Sequence, residues 1–119
     1  MKTVLIVDDS AFMRDLIKEA INHFDVTVVG EAENGKIGVE KYKELKPDIV
    51  FMDYIMDEMK GLEALERIIK YDSKAIVILL TSVAKQEYIV NEATALGAKA
   101  VLSKPPTFKA IGDLLRKLL

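Results

Sequence analysis

Val4-Leu5-Ile6-Val7-Asp8-Asp9-Ser10 is the stretch that decides the fold: four aliphatic residues without a break, then two adjacent carboxylates and a hydroxyl. A strand with one face in water alternates apolar and polar residues, so an unbroken run reads as a strand buried on both faces. Such strands belong to parallel sheets covered by helices on each side. Ser10 is suited to cap the following helix through its hydroxyl. Met13, Leu16, Ile17, Ala20, Ile21 and Phe24 then recur at helical spacing and form one apolar stripe.

The same alternation continues along the chain. Residues 26–32 read as a second strand and Asn34-Gly35 as a turn. Ile37, Val39, Tyr42 and Leu45 fit a short second helix that Lys46-Pro47 ends. Residues 49–52 form a third apolar run, and Gly61 precedes a third helix carrying Leu62, Leu65, Ile68 and Ile69. Residues 75–80 give a fourth strand, and Ile89, Ala93 and Leu96 mark a fourth helix with Gly97 at its C-terminal cap. Residues 100–102 give a short fifth strand, and Phe108, Ile111, Leu114, Leu115 and Leu118 stripe the last helix. Five strands alternating with five helices predict an α/β fold, a five-stranded parallel sheet doubly wound by helices on both faces. Right-handed crossovers restrict its topology further.

Composition agrees and narrows the function. A chain of 119 residues suits one domain with one core, and residues 1–119 are expected to form it. A formal charge of −2 offers no basic footprint for nucleic acid. The absence of cysteine excludes disulfides and thiolate metal sites. Met1-Lys2-Thr3 leads into the first strand without the apolar segment of a signal peptide. No apolar stretch approaches the ~20 residues that span a bilayer. A soluble, cytoplasmic protein without membrane insertion is therefore expected.

In doubly wound sheets, ligands bind beyond the carboxyl ends of the strands. Asp8 and Asp9 follow the first strand, Asp53 closes the third, Thr81 the fourth, and Lys104 follows the fifth. Asp8, Asp9 and Asp53 supply hard oxygen ligands that suit Mg2+. Zinc is disfavoured, because His23 is the only histidine and there is no cysteine. Without a metal, crowded carboxylates raise at least one pKa by mutual repulsion. Lys104 offers a compact ammonium for carboxylate or phosphoryl oxygens, and Thr81 a hydroxyl donor. Metal, ammonium and hydroxyl around an aspartate make a phosphoryl-transfer site: the carboxylate attacks and positive charge stabilises the group in transit.

Taken singly, these residues have plainer readings. Asp-Asp-Ser after a strand is often a helix cap, Asp53 could be a loop acid, Lys104-Pro105 a turn, and a threonine often ends a strand. Their convergence on one rim outweighs those readings. His23 is read as surface or partly buried; Met13, Met52, Met56 and Met59 as packing; Arg14 and Lys18 as a solvated helix face.

With those residues in place, the chain resembles the receiver domain of two-component response regulators along essentially its whole length. The resemblance rests on residues 4–10, on Pro47-Asp48-Ile49-Val50-Phe51-Met52-Asp53, on Leu80-Thr81-Ser82 and on Lys104-Pro105, in that order and spacing. Ala11-Phe12-Met13-Arg14 looks more like the chemotaxis branch than the transcription-factor branch. The resemblance implies a flavodoxin-like (βα)5 fold with strand order 2-1-3-4-5. It implies that Asp53 accepts a phosphoryl group from a sensor histidine kinase or a small phosphodonor. Asp8 and Asp9 would bind Mg2+, with Asp9 and Asp53 as direct ligands, the Ile55 backbone carbonyl completing the set and Mn2+ a possible substitute. Lys104 would bridge to the phosphoryl group, aided by a cis bond before Pro105. Thr81 would swing toward it and pass the signal to an output partner through the surface of helix four, strand five and helix five. The protein would then be a signalling switch and not an enzyme with a separate substrate. A stand-alone chemotaxis-type regulator is expected, with a receiver domain cut from a larger regulator of DNA-binding or enzymatic output as the alternative.

Several positions depart from the family pattern. Asp57 stands where proline is expected, which frees the loop after the acceptor and adds charge beside the acids. Val101 replaces an aromatic that commonly moves with the threonine, so output is expected to rest on a backbone shift. Pro106 stands where phenylalanine often follows Lys-Pro, and Lys60 before Gly61 is a milder change. Ile55 and Val83 make the acceptor's rim apolar and predict slow hydrolysis. A Mg-dependent aspartyl phosphatase of the haloacid-dehalogenase type needs a second acid two residues after the nucleophile, where this chain has Ile55. A flavodoxin-like FMN carrier needs a phosphate-cradling loop where Asp8 and Asp9 would repel phosphate. A degenerate receiver would lack the acceptor or the lysine, and both are present.

Overall fold

In a computed structural model of the chain, which describes residues 1–56, 58–82 and 87–119, the strands are β1 (Lys2–Val7), β2 (Val26–Ala32), β3 (Ile49–Asp53), β4 (Val77–Thr81) and β5 (Ala100–Ser103). They alternate with α1 (Ala11–Ile21), α2 (Gly35–Leu45), α3 (Gly61–Tyr71), α4 (Glu87–Ala95) and α5 (Phe108–Leu118). All pairings are parallel and the sheet order is β2-β1-β3-β4-β5, the doubly wound order expected. No described helix is long and apolar enough to cross a membrane.

The unbroken aliphatic runs explain the layering. Successive side chains of a strand point to opposite faces, so each run feeds two cores. Leu5, Val7, Val50, Met52, Val77 and Leu79 pack with Val39 and Tyr42 of α2, Ala64, Leu65 and Ile68 of α3, and Ala93 of α4. Val4, Ile6, Ile49, Phe51, Ile78 and Leu80 pack with Ile17, Ala20 and Ile21 of α1 and Ile111 and Leu115 of α5. Burying an aliphatic or Phe side chain fully contributes about 1.5–3 kcal/mol. These strands thus fix the sheet, and with it the positions of their carboxyl ends.

Local chemistry sets the helix starts. Ser10 Oγ accepts from the Met13 N–H at 3.2 Å, the cap expected for α1. Asn34 does the same for α2, its Oδ1 accepting from the Ile37 N–H at 2.8 Å. Asn34-Gly35 is therefore a helix cap and not a free turn. Gly97 follows α4 at φ 109, in the left-handed region that glycine enters without strain. β4 starts at Val77, two residues later than the apolar run begins: Ala75 still belongs to the turn after α3, its N–H donating to the Asp72 carbonyl at 3.1 Å. Phe108, first of the α5 stripe, is 53% exposed, so the buried stripe starts at Ile111.

Candidate functional site

Register brings the acids together. β1 and β3 pair Ile6 with Phe51 and Val7 with Met52. One step further along this ladder sets Asp8 beside Asp53, with neighbouring strands only about 4.8 Å apart. Both carboxylates are buried, Asp8 at 0% and Asp53 at 2% exposure, while Asp9 is exposed. Carboxylate oxygens of Asp8, Asp9 and Asp53 lie within 4.8 Å of one another, the one such acidic group among the described residues.

Lys104 supplies the counter-charge. Its N–H donates to the Thr81 carbonyl at 3.1 Å, extending the β4–β5 ladder to the rim. Its side chain then reaches across the end of β4. Nζ lies 2.9 Å from Asp53 Oδ2 and 3.1 Å from Asp8 Oδ2. The contacts are ion pairs at hydrogen-bonding distance, and among the described residues both buried oxygens have no partner besides this ammonium. The bond before Pro105 is cis. Thr81 is 1% exposed, and together with Asp53, Tyr54, Ile55, Ser82 and Lys104 it lines a cavity of about 80 Å³. Ile55 is 64% exposed at its mouth.

The electrostatics follow from this geometry. Burial raises the Asp53 carboxyl above the usual carboxylate range; Lys104 opposes the shift and the charge on Asp8 adds to it. Burial disfavours the Lys104 ammonium, yet pairing with Asp53 and Asp8 leaves its pKa above that of a free lysine. Among the described residues, Lys104 is the one cation paired with the two buried acids. Two buried carboxylate oxygens that face only this ammonium among the described residues, beside an exposed third carboxylate, form an all-oxygen donor set that fits a small hard cation with waters in its remaining positions. Asp8 is held at other atoms: its N–H donates to the Ala32 carbonyl at 3.0 Å and its Oδ1 accepts from the Ser10 N–H at 2.9 Å.

The family model for the response regulator receiver domain matches residues 4–116. The chain belongs to this family. The chemotaxis protein CheY of Thermotoga maritima is 45% identical to this receiver over 98% of the chain and 97% of its own length. The CheY of Listeria monocytogenes is 48% identical, with 98% of each covered. Among solved structures, the CheY of a CheX-CheY-BeF3-Mg2+ complex from Borrelia burgdorferi superposes with a TM-score of 0.93 at 28% identity, covering 98% of this chain and 88% of that one. The response regulator domain of Thermotoga maritima CheB gives 0.87 at 40% identity, covering 98% and 92%. The receiver is closely similar to chemotaxis proteins of the CheY type.

The structure gathers Asp8, Asp9, Asp53, Thr81 and Lys104 at one rim, with Ile55 beside them. Asp57 and Val83 lie outside the described residues. His23 is exposed just past the C-terminal end of α1. Arg14 is a correction: it is not a solvated residue. Its guanidinium donates to the Asp8 carbonyl and its Nε lies 3.0 Å from Glu31 Oε1, with the side chain 18% exposed. Lys18 joins the same carboxylate at 2.9 Å. Glu31 is the other residue that sequence reasoning passed over, and Gly61, read only as preceding α3, has a closer part. Gly61 opens α3 against the acceptor strand: a Cβ there would lie 2.1 Å from the Asp53 carbonyl oxygen. Gly61→Ala is expected to cost about 2–3 kcal/mol of stability, the range for overpacking a site that cannot yield, as read by thermal or urea unfolding.

Proposed function

We propose that this receiver is a CheY-type signalling switch of the chemotaxis branch that takes up a phosphoryl group on Asp53. The observation that carries the reading is the buried Asp53 carboxylate, crowded by Asp8 and Asp9 and paired with the Lys104 ammonium 2.9 Å away. Asp8, Asp9, Asp53 and the Ile55 carbonyl would hold Mg2+, with Mn2+ as a substitute. Bound Mg2+ supplies neutralisation of charge on the transferring oxygens. An Asp53 oxygen attacks phosphorus, the bond to the donor's nitrogen or oxygen breaks, and an aspartyl phosphate forms. Lys104 then trades its contact with Asp53 Oδ2 for a phosphoryl oxygen. Thr81, at the wall of the same cavity, donates its hydroxyl to another.

The phosphodonor is a sensor histidine kinase or a small acyl phosphate, and the output partner reads the α4–β5–α5 surface. The chain acts in the cytoplasm and on itself, with no separate substrate. Val101 on β5 is half-buried and has no ring to swing. The signal therefore travels as a backbone shift from Thr81 to the ladder it shares with β5 through Ser103. Titrating the isotope-labelled chain with beryllofluoride and Mg2+ tests this. Amide shifts at Asp53, Thr81 and residues 100–104 are expected only when both are present. A large side-chain rearrangement at Val101, or no response at all, would refute it.

Ile55 at the cavity mouth obstructs the attacking water, so the aspartyl phosphate is long-lived. Ile55→Asn places an amide that can orient that water, and should speed dephosphorylation about tenfold. Decay of the phosphorylated fraction after donor removal measures it. An equal decay in both forms would exclude an apolar gate.

A further inference from the structure

The β1–β2 ladder slips by one residue between Val4 and Leu5: Val4 pairs with Val28, but Leu5 pairs with Gly30. The extra residue, Val29, inverts the phase of β2 beyond it, as a bulge does. Gly30 then falls on the face of Leu5, where an added Cβ would meet Leu45 Cδ1 at 2.7 Å. Glu31 falls opposite Ile6, on the face covered by α1. Without the slip, the alternation would put the glycine under α1 and the glutamate in the other core.

That re-aimed carboxylate is held at every oxygen. Arg14 Nε is 3.0 Å from Oε1, Lys18 Nζ is 2.9 Å from Oε2, and Lys41 Nζ donates to the Glu31 backbone carbonyl. Pairing with Lys18, assisted by Arg14, holds the Glu31 carboxyl below its usual range, with burial opposing. The guanidinium is rigid and planar, so with Nε fixed on Glu31 its Nη1 has a defined direction. It donates to the carbonyl of Asp8. That carbonyl belongs to the peptide plane joining Asp8 to Asp9. Arg14 therefore fixes the plane from which the exposed carboxylate, Asp9, is presented, while the Asp8 N–H and Oδ1 are fixed by Ala32 and Ser10.

We infer that Arg14, braced by Glu31, is a positioning residue for the metal-binding acids. The inference rests on the Mg2+ site proposed above. Its consequence has a sign that electrostatics alone would reverse. Removing a positive charge next to three carboxylates should, by Coulomb attraction, tighten binding of a divalent cation. Loss of positioning should weaken it, as losing a partner that orients a ligand does.

The test is the Mg2+ affinity of the unphosphorylated full chain, followed by amide NMR at 15 °C, for the parent, Arg14→Ala and Arg14→Lys. Arg67→Ala, which removes a surface cation paired with Glu63 on α3, serves as the charge control. Arg14→Lys keeps the charge and loses the planar fork, so any change it shows reports geometry. The expected result is about tenfold weaker binding in Arg14→Ala, weaker binding in Arg14→Lys, a displaced Asp9 amide resonance in both before Mg2+ is added, and parent-like affinity in Arg67→Ala. Affinity that is unchanged or tighter in both Arg14 variants would overturn the clamp while leaving the Mg2+ site standing. A parent chain that takes up no Mg2+ would overturn the site and the clamp together.

Discussion

Asp53→Asn makes the metal-free protein more stable at neutral pH, by about 1–2 kcal/mol, while removing the group on which its switching depends. The reason lies in the direction of the Asp53 shift. Burial and the Asp8 charge disfavour its ionised form in the folded state, so its folded pKa lies above its unfolded one. Between those two values the folded state binds more protons, and folding is favoured as pH falls. Above the folded pKa the ionised group is a standing cost, which asparagine removes. The gap between Asp53→Asn and the parent should therefore be full above the folded pKa of Asp53 and close as pH drops through it. The surface acids behave oppositely. Asp48, Asp72 and Asp113 have lowered pKa values through the Thr3 and Lys74 backbone N–H groups and Lys109 respectively, so their stabilisation is lost as pH falls. Both proteins share that loss, and the difference between them isolates Asp53. Urea unfolding of the two chains in chelator across pH measures it. A parent more stable than Asp53→Asn at neutral pH would contradict the charge balance described for this site.

Lys104→Met should do the reverse and do more. Among the described residues it removes the one cation paired with the buried carboxylates, which leaves Asp8 and Asp53 crowded together with no counter-charge at Oδ2. Breaking a buried pair from one side costs about 3–5 kcal/mol. Lys104 keeps 20% of its side chain in water, so the lower end of that range applies. Mg2+ competes with the ammonium for the same oxygens, so the variant should bind Mg2+ more tightly and recover stability as the ion is added. Phosphoryl uptake should nonetheless slow about a hundredfold even at saturating Mg2+, because a fixed positive group at the developing charge has gone. The two readouts separate the roles. Unchanged uptake would mean that Lys104 serves only to neutralise the resting site.

The sheet and the rim were legible because both depend on local pattern. Continuous aliphatic runs admit little besides buried parallel strands, and residues that end such runs must share one edge. Residues 4–7 and 49–52 thus set the fold and delivered Asp8 and Asp53 together. Arg14 and Glu31 were not legible for the opposite reason. Which face Glu31 occupies depends on the slip at Val29, and nothing in Val26-Thr27-Val28-Val29-Gly30-Glu31-Ala32 marks it except a glycine. Counting by twos from Val26 puts Glu31 away from α1, and Arg14 then looks solvated. Asn34-Gly35 failed similarly: the pair is a turn signal and a cap signal alike, and only the Ile37 N–H on Asn34 Oδ1 decides between them. The exposure of Phe108 is a tertiary outcome: it belongs to the helical stripe by spacing, yet the first residue of α5 that the core buries is Ile111.

The most direct test is covalent. The chain is incubated with acetyl phosphate, with and without Mg2+, beside Asp53→Asn, and intact masses are compared. One added phosphoryl group is expected in the parent, dependent on Mg2+ and absent from Asp53→Asn. A parent that gains no mass, or an Asp53→Asn chain that gains the same mass, would contradict it.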